Sequence, residues 1–478
     1  MDNALYRWVQ STALLRADVE ALLGLVLAVA VTLHALLRKR RVSVAVGWIG
    51  LAWLSPLFGS LLYVTFGINR VYRRARRMRG RPSEAPEPAD TDDAVVPEAL
   101  WPLDRAVRRI AGVPAMAGNA VRMFRNGDAA YPEMLAAIRG ARRSVVLSSY
   151  IYRDDATGRE FSAALAEARG RGVQVRVIID GIGGGYFRTP TYRRLRKAGV
   201  PAALFMHSAL PWRMPFLNLR SHKKLLILDG TVAFTGGLNI AQANRVATRP
   251  EHPIRDTHFR LEGPVVEQLA AAFSADWAFV AGENLDGPPF FVACEPAGDS
   301  VARVVTSGPD ADVEKIEQVV MQALACAQRS ARLVTPYFLP DELVTGALAQ
   351  AATRGITVDV IIPRVSDHHF IDWATRAHLE PLLQAGVRIW LDEPPFDHSK
   401  ALVVDDVWCF VGSANWDMRS FRLNFELNVE IIDAGLAAEL DRFMRGKMER
   451  RLTAADLAAR PLPTRLRDAA VRLLLPYL

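Results

Sequence analysis

The stretch SHKKLLILDG (221–230) is answered 176 residues later by DHSKALVVDD (397–406). Both read His-x-Lys-x-x-x-x-Asp, with His222, Lys224 and Asp229 in the first copy and His398, Lys400 and Asp405 in the second. With only nine His and seven Lys in 478 residues, a chance match is expected in roughly one such chain in a hundred, and two far less often. In a strand, residues two apart share a face. His222 and Lys224 therefore project together, as do His398 and Lys400, while Lys223 and Ser399 point the other way. Asp229 and Asp405 complete the motifs but follow four apolar residues at DG and DD turns. Their parity is wrong for the shared face, so they read as turn-stabilising.

The similarity runs well beyond the motifs. GARRSVVLSSYIY (140–152) parallels CAQRSARLVTPYF (326–338), each a helix end followed by an apolar strand closing on Tyr150 or Tyr337. RGVQVRVIID (171–180) parallels RGITVDVIIP (354–363), each a helix-ending glycine before a buried strand. The amphipathic segments REFSAALAEARG and VTGALAQAATRG lie between. A glycine turn with an asparagine follows each motif, FTGGLN (234–239) and FVGSANWD (410–417). Strands alternating with helices predict α/β layers, and a period of about 180 residues predicts a duplicated domain rather than a solenoid.

Each half thus offers one imidazole, one ammonium and one amide, that of Asn239 or Asn415. This set suits a phosphate: lysine and asparagine take its oxygens, and histidine attacks phosphorus or moves a proton. One imidazole cannot do both jobs in one step. Two halves facing each other across a pseudo-twofold axis supply a nucleophile and a general acid/base.

In these motifs the chain resembles the phospholipase D superfamily, and within it the bacterial cardiolipin synthases. NLRSHKKLLILDGTVAFTGGLNI, RDTHFRLEGPVV, TSGPD, TPYFLPDE, PRVSDHH and GSANWDMRSFRLNFELN are similar to that family's blocks, as is GWIGLAWLSPLFGSLLY near the N-terminus. The resemblance covers nearly the whole chain, the linker and the last 25 residues being least distinctive. IRDTH departs from the family, which often has Trp before the Arg-Asp pair. The resemblance implies two pseudo-twofold-related α/β/α sandwich repeats forming one catalytic domain. It implies phosphatidyl transfer between two phosphatidylglycerols, giving cardiolipin and glycerol through a phosphatidyl-histidine. His222 would be the nucleophile and His398 the acid/base, with Lys224, Lys400, Asn239 and Asn415 on the phosphoryl oxygens. Asp256 and Glu426, which lie 34 residues after His222 and 28 after His398, would orient the histidines. No cofactor or metal is implied; DHH at 367–369 has diverging side chains and no third ligand placed by spacing.

A net charge of +8 and a pI of about 9.6 call for an anionic partner, nucleic acid or an acidic membrane. Three cysteines without a C-x-x-C pair argue against a disulfide framework or zinc ribbon. Ala21–Leu37 and Val42–Ile68 are uncharged runs of 17 and 27 residues separated by RKRR, which read as a two-helix membrane hairpin within residues 1–70. Nine arginines on the side of the two termini (Arg7, Arg16 and seven between 70 and 81), against four basic residues in the turn, place the termini and everything after residue 70 in the cytoplasm. The expected product is a multi-pass protein of a bacterial inner membrane, and the hairpin speaks against nucleic acid.

A Pro-rich linker is expected over 71–97, the two halves over 98–290 and 291–450, and an amphipathic tail over 451–478. In that tail TRLRDAAVRLLL puts Leu466, Ala469, Ala470, Leu473 and Leu474 on one face, the pattern of an interfacial helix or of a docked core helix. PWRMPFLNLR (211–220) reads as a lipid-facing lip or a packed loop, and YRRLRKAG (192–199) as a solvated basic helix face or a headgroup site. Three rivals keep the same residues: a hydrolase or phosphodiesterase using water, a synthase taking phosphatidylethanolamine as second lipid, and an idle membrane scaffold.

Overall fold

Runs such as SVVLSS (144–149) and LLIL (225–228) have no polar face to turn to water, so they belong in a sheet covered on both sides. The computed structural model, which describes residues 2–38, 42–67, 95–185, 188–207, 219–309 and 312–473, places them there. The first half contributes β1 (Met116–Arg125), β2 (Ser144–Ser149), β3 (Gln174–Asp180), β4 (Ala202–Phe205), β5 (Leu225–Leu228), β6 (Val232–Gly236) and β7 (Thr257–Glu262). The second contributes β8 (Ser300–Ser307), β9 (Ser330–Val334), β10 (Phe338–Leu339), β11 (Thr357–Pro363), β12 (Arg388–Asp392), β13 (Ala401–Val404), β14 (Trp408–Gly412), β15 (Trp416–Asp417), β16 (Glu426–Ile432) and β17 (Arg450–Leu452).

Fifteen of these strands form one sheet in the order β17-β12-β11-β9-β13-β14-β16-β8-β1-β7-β6-β5-β2-β3-β4. Read outward from the antiparallel β1–β8 seam, the two sides repeat: β7 matches β16, β6 matches β14, β5 matches β13, β2 matches β9, β3 matches β11 and β4 matches β12. The pseudo-twofold axis runs through that seam. β10 and β15 form a small separate pair, and β17 extends one edge by pairing with β12. The segment expected as a tail from residue 451 therefore begins inside the sheet.

Helices cover both faces. Phe161, Leu165 and Ala168 of Ala156–Gly170 pack under β2 and β3, and Val344, Leu348 and Ala351 of Glu342–Thr353 pack under β9 and β11. Each of these helices is capped by an aspartate, Asp155 accepting from the Gly158 N–H and Asp341 from the Leu343 N–H. Gly172 and Gly355 follow them with φ near +90°, a conformation that favours glycine. Val265, Leu269, Phe273 and Trp277 lie on the opposite face of the first half.

The motif aspartates are the struts of this architecture. Asp229 accepts from the N–H groups of Arg142, Arg143 and Ser144 at 2.7–3.2 Å, and Asp405 from those of Gln328, Arg329 and Ser330 at 2.7–2.9 Å. Both stand at φ +53°, tying the turn after β5 or β13 to the start of β2 or β9.

The N-terminal unit corrects one expectation. Asp2–Arg38 is a single helix, and its Asp18–Arg38 part, with mean hydropathy 2.2, is long and apolar enough to cross a membrane. The run from Val42 is not a second such helix. It breaks at Ser55 (φ −144°, ψ 81°) into Val42–Leu54 and Pro56–Leu62, the latter prolonged as a π-helix Tyr63–Gly67. Pro56 lacks an N–H and excludes helical geometry from the residue before it. The second piece then folds back. A Cβ on Gly59 would lie 2.3 Å from the Leu51 carbonyl oxygen, so the two pieces touch backbone to backbone. Tyr63 returns to Trp48, with ring centroids 5.4 Å apart, and its hydroxyl lies 2.6 Å from His34 Nδ1. The expected linker to residue 94 lies outside the described residues, as does most of the 211–220 segment.

Asp405→Ala strands three backbone N–H groups whose lost hydrogen bonds are worth about 1–3 kcal/mol together. The thermal unfolding midpoint of the detergent-solubilised variant is expected to fall while its KM stays unchanged. A changed KM with an unchanged midpoint would contradict the strut role.

Candidate active site

Each histidine lies in the extended lead-in to its strand, and that lead-in pairs with the other half. The His222 N–H donates to Phe425 O (2.9 Å) and the Phe425 N–H to Arg220 O (2.8 Å). In mirror image, the His398 N–H donates to Arg255 O (2.8 Å) and the Arg255 N–H to Phe396 O (2.9 Å). The residues that follow Phe425 and Arg255 are Glu426 and Asp256. Backbone pairing across the molecule thus delivers a carboxylate to each imidazole: His222 Nδ1 lies 3.0 Å from Glu426 Oε2, and His398 Nδ1 lies 2.9 Å from Asp256 Oδ2. Both pairings are crossed, each histidine being oriented by the opposite half.

The glycine turns are crossed as well. His222 Nδ1 also lies 2.9 Å from the Ser413 carbonyl oxygen, and the Gly237 backbone takes the same place beside His398. The two imidazoles face each other with centroids 6.3 Å apart and planes at 78°. The Lys224 ammonium donates to the His222 carbonyl (2.6 Å), and the Lys400 ammonium donates to the His398 carbonyl and sits 2.8 Å from its Nδ1. His222 and His398 retain 6% and 9% exposure, against 2% for either lysine, so the rings are the more accessible members of the set.

Burial governs the titration of this cluster. Desolvation, followed by the two lysine charges, holds both histidines well below their ordinary value, so the imidazoles are neutral at pH 7. The ionised form of the acid on Nδ1 favours the tautomer with its proton on that side and leaves Nε2 with a lone pair. Desolvation and the charge of Lys400 bring Lys224 down to about 7, and burial brings Lys400 down to about 8. Burial raises Asp256 to about 8 and Glu426 to about 7, with Lys400 and Lys224 respectively opposing the rise. Two ammoniums confined together without water are short of negative charge, which a phosphodiester supplies.

The remaining candidates fall in different places. Asn239 accepts from the Ile151 N–H at 3.2 Å, whereas the buried Asn415 Oδ1 has no hydrogen-bond partner among the described residues. Asp229 and Asp405 stand at the turns and touch neither imidazole. Lys223 points away as the strand parity requires, but into a buried ion pair with Asp276 at 2.8 Å. Removing that lysine alone is therefore not neutral and costs about 3–5 kcal/mol.

Four contributors escaped the sequence reading. Ser413 Oγ and Asn424 Nδ2 donate to Glu426 at 2.5 and 3.1 Å. Tyr150 stands edge-on to His222 with centroids 4.8 Å apart, and Tyr337 edge-on to His398 at 6.1 Å. The tyrosines did carry a signal, since they end the two repeated strands at matching positions. Gly237 is a fifth element of the site: a Cβ there would lie 2.0 Å from Asp256 Oδ1, so a side chain would displace the acid.

With the geometry established, comparisons with known proteins give the context. The cardiolipin synthase, phospholipase D-like domain family matches residues 134–277 and 320–447. The chain is 35% identical to the major cardiolipin synthase of Bacillus subtilis, over 75% of this chain and 76% of that one. It is 31% identical to a cardiolipin synthase of Geobacillus kaustophilus, over 92% and 90%, and 33% identical to cardiolipin synthase A of Pseudomonas aeruginosa, over 88% and 87%. A phosphatidylserine synthase of Haemophilus influenzae shares the fold at a TM-score of 0.57 and 14% identity, covering 79% of this chain and all of that one.

The lysine pair predicts a pH profile. Lowered lysines lose their charge as pH rises, Lys224 first, so kcat/KM, which reports the free enzyme, is expected to fall above about pH 7. Bound phosphodiester favours the charged ammoniums, so the alkaline limb of kcat should lie higher. Lys224→Arg removes the lower of the two titrating groups and moves the kcat/KM limb upward in the fraction that stays active. Alkaline limbs that coincide in kcat and kcat/KM would contradict this assignment.

Proposed function

The chain belongs to the cardiolipin synthase family of phospholipase D-like proteins, and on that footing we propose that it joins two phosphatidylglycerols into cardiolipin and glycerol. It is a phosphatidyltransferase, and the observation that carries the mechanism is the pair of neutral imidazoles 6.3 Å apart, each backed by the other half's acid. That spacing lets a phosphorus sit between the rings, with the attacking nitrogen at a near-attack distance of about 3–3.5 Å and the bonded leaving oxygen directed at the other ring.

His222 Nε2 attacks the phosphorus of the first phosphatidylglycerol. His398 takes up a proton on Nε2 as the phosphodiester brings its negative charge into the pocket; as the bond from His222 to phosphorus forms, the bond from phosphorus to the glycerol headgroup oxygen breaks, and His398 passes that proton to the leaving oxygen. Glycerol leaves and a phosphatidyl-histidine remains. His398, now without that proton, takes one from the headgroup hydroxyl of the second phosphatidylglycerol. The freed oxygen attacks phosphorus, His222 departs, and cardiolipin is complete. Lys224, Lys400 and Asn415 hold the phosphoryl oxygens through the transition state, and Asn239 assists from the rim. Glu426 steadies the imidazolium that His222 becomes in the intermediate, as Asp256 does for His398.

The sidedness of the membrane unit follows from the fold-back of residues 42–67. Thirteen residues of Val42–Leu54 reach about 20 Å, short of the about 30 Å of a bilayer core. Two crossings need about 40 residues, and only 26 are available in 42–67. The protein is inserted in the cytoplasmic membrane by one spanning helix, Asp18–Arg38, with a re-entrant pair beside it. The chain then leaves on the side where Val42 entered. Arg38, Lys39, Arg40, Arg41 and the seven arginines between 70 and 81 share that side, against Arg7 and Arg16 on the other. The positive-inside rule makes it the cytoplasmic side, so the N-terminus lies outside, opposite to the hairpin expectation.

Purified enzyme given defined phosphatidylglycerol as sole lipid is expected to yield cardiolipin and glycerol in equal amounts by mass spectrometry. His222→Ala and His398→Ala should each lower turnover by about 10³-fold or more. Phosphatidic acid as the main product would replace the synthase with a hydrolase. For the membrane unit, single cysteines replacing Ala4 and Ser83 should differ toward an impermeant maleimide on intact spheroplasts, Ala4→Cys reacting and Ser83→Cys reacting only after lysis. Equal reactivity would overturn the re-entrant arrangement.

A further inference from the structure

We propose that the C-terminal helix Leu462–Arg472 and the cleft beside it form a docking site for the anionic phospholipid surface, separate from the reaction pocket. This goes beyond the synthase activity and does not require it.

Of the seven large apolar side chains exposed beyond residue 78 among the described residues, five lie in one place. Val365 and Phe370 belong to helix His369–Arg376 and the loop before it, and Leu462, Leu466 and Leu473 to the C-terminal helix or its last turn. Isolated exposed leucines carry no message, but a cluster on two packed helices does. The C-terminal helix turns only Asp468 and Val471 fully inward. Leu462, Leu466 and Leu473 form a stripe along its outer side, 64%, 62% and 75% exposed. The helix is fixed in that pose: Asp468 receives Arg460 at 2.6 Å and Arg467 at 2.7 Å, and the Arg467 guanidinium stacks 4.0 Å over Trp373. A loosely attached terminal helix would have no such buried anchor.

Beside the stripe is a cleft of about 310 Å³ lined by Arg376, Arg460, Arg465 and Arg472 together with Leu457 and Leu466. Arg460 is committed to Asp468, while Arg376 and Arg472 donate to the backbone carbonyls of Arg364 and Ala377. Those carbonyls fix the guanidiniums without neutralising them. Among the described residues the cleft is lined by four arginines and Glu380, and with Arg460 paired to Asp468 its balance of charge is positive. Burial holds Arg376 below its ordinary value, with Asp372 opposing and Arg460 adding to the effect. Guanidiniums beside leucines match a phospholipid, whose phosphate meets the arginines while its chains meet the stripe. A soluble anion would leave the leucines in water, so the occupant is the bilayer surface.

The position gives docking a purpose. Helix His369–Arg376 begins directly after Asp367 and His368. Asp367 accepts from the Tyr337 hydroxyl at 2.8 Å, and Tyr337 flanks His398. A bilayer held against this helix lies beside the wall of the reaction pocket.

The test uses full-length protein in which Cys294 and Cys326 are serine and Leu466→Cys carries an environment-sensitive fluorophore. It is placed in nanodiscs of phosphatidylcholine alone or with phosphatidylglycerol, each made also with brominated chains. The expected result is a blue-shifted, bromine-quenched probe that depends on phosphatidylglycerol. Arg465→Gln with Arg472→Gln should lower the docked-to-undocked ratio by roughly tenfold to thirtyfold, at about one charge contact per arginine. The same signal in the His222→Ala background separates docking from catalysis, so failure of the synthase reading would leave it intact. A probe that reads water in both nanodiscs, or quenching indifferent to lipid charge, would overturn the proposal. So would crosslinking of residue 466 between two copies, which would make the stripe a contact between chains.

Discussion

Everything at the centre of this protein depends on a crossed hydrogen-bonded pairing: each histidine is oriented by an acid from the other half. Glu426 meets His222 and Asp256 meets His398 because short parallel bridges, Ser221 to Phe425 and Arg255 to Asp397, lace the two halves together. Neither half alone contains a complete imidazole–carboxylate pair. The antiparallel β1–β8 seam must therefore keep its register, since a slip along it would misplace both acids at once. Duplication here supplies more than a second copy of a residue set; it supplies the partner that makes the first copy usable.

The same closure sets the electrostatics. Two histidines, two lysines and two acids share a pocket that excludes water, and each ionised group is held there at a desolvation cost. Neutral imidazoles and lysines lowered to about 7 and about 8 are the response of an empty site to that cost. An arriving phosphodiester favours the charged form of both lysines and is attracted to them in a low-dielectric surrounding. Excluding water also bears on the choice of acceptor, because a positioned lipid hydroxyl can outcompete bulk water when effective molarities reach about 10⁵ M or more.

Membrane attachment rests on a different constraint, the absence of any way to leave backbone groups unpaired in lipid. The break at Ser55–Pro56 is accommodated by an immediate return, with Gly59 letting the two short helices meet at their backbones. Residues exposed at that bend, Leu54, Leu57 and Phe58, are all apolar, as the proposed re-entrant arrangement needs.

Much of this was legible in the residues. The duplicated motif and its parity placed His222 with Lys224 and His398 with Lys400. The apolar runs between turns marked the buried strands, and the unsuitable parity of Asp229 and Asp405 marked them as struts rather than reactants. Asp256 and Glu426 could be named from the family resemblance. Which acid serves which histidine could not, because sequence distance ranks Glu426 with His398 and Asp256 with His222, and the bridges that reverse this join residues some 200 positions apart in one case. The direction of the chain after Leu54 was hidden for a similar reason. Hydropathy counts apolar residues but is indifferent to whether a helix continues or turns back, and that choice was made by Pro56 and by the close contact Gly59 permits. Composition and periodicity determined what is buried; the crossing of two halves and the return of one short helix decided what meets there, since contact between distant segments is a property of packing and not of order along the chain.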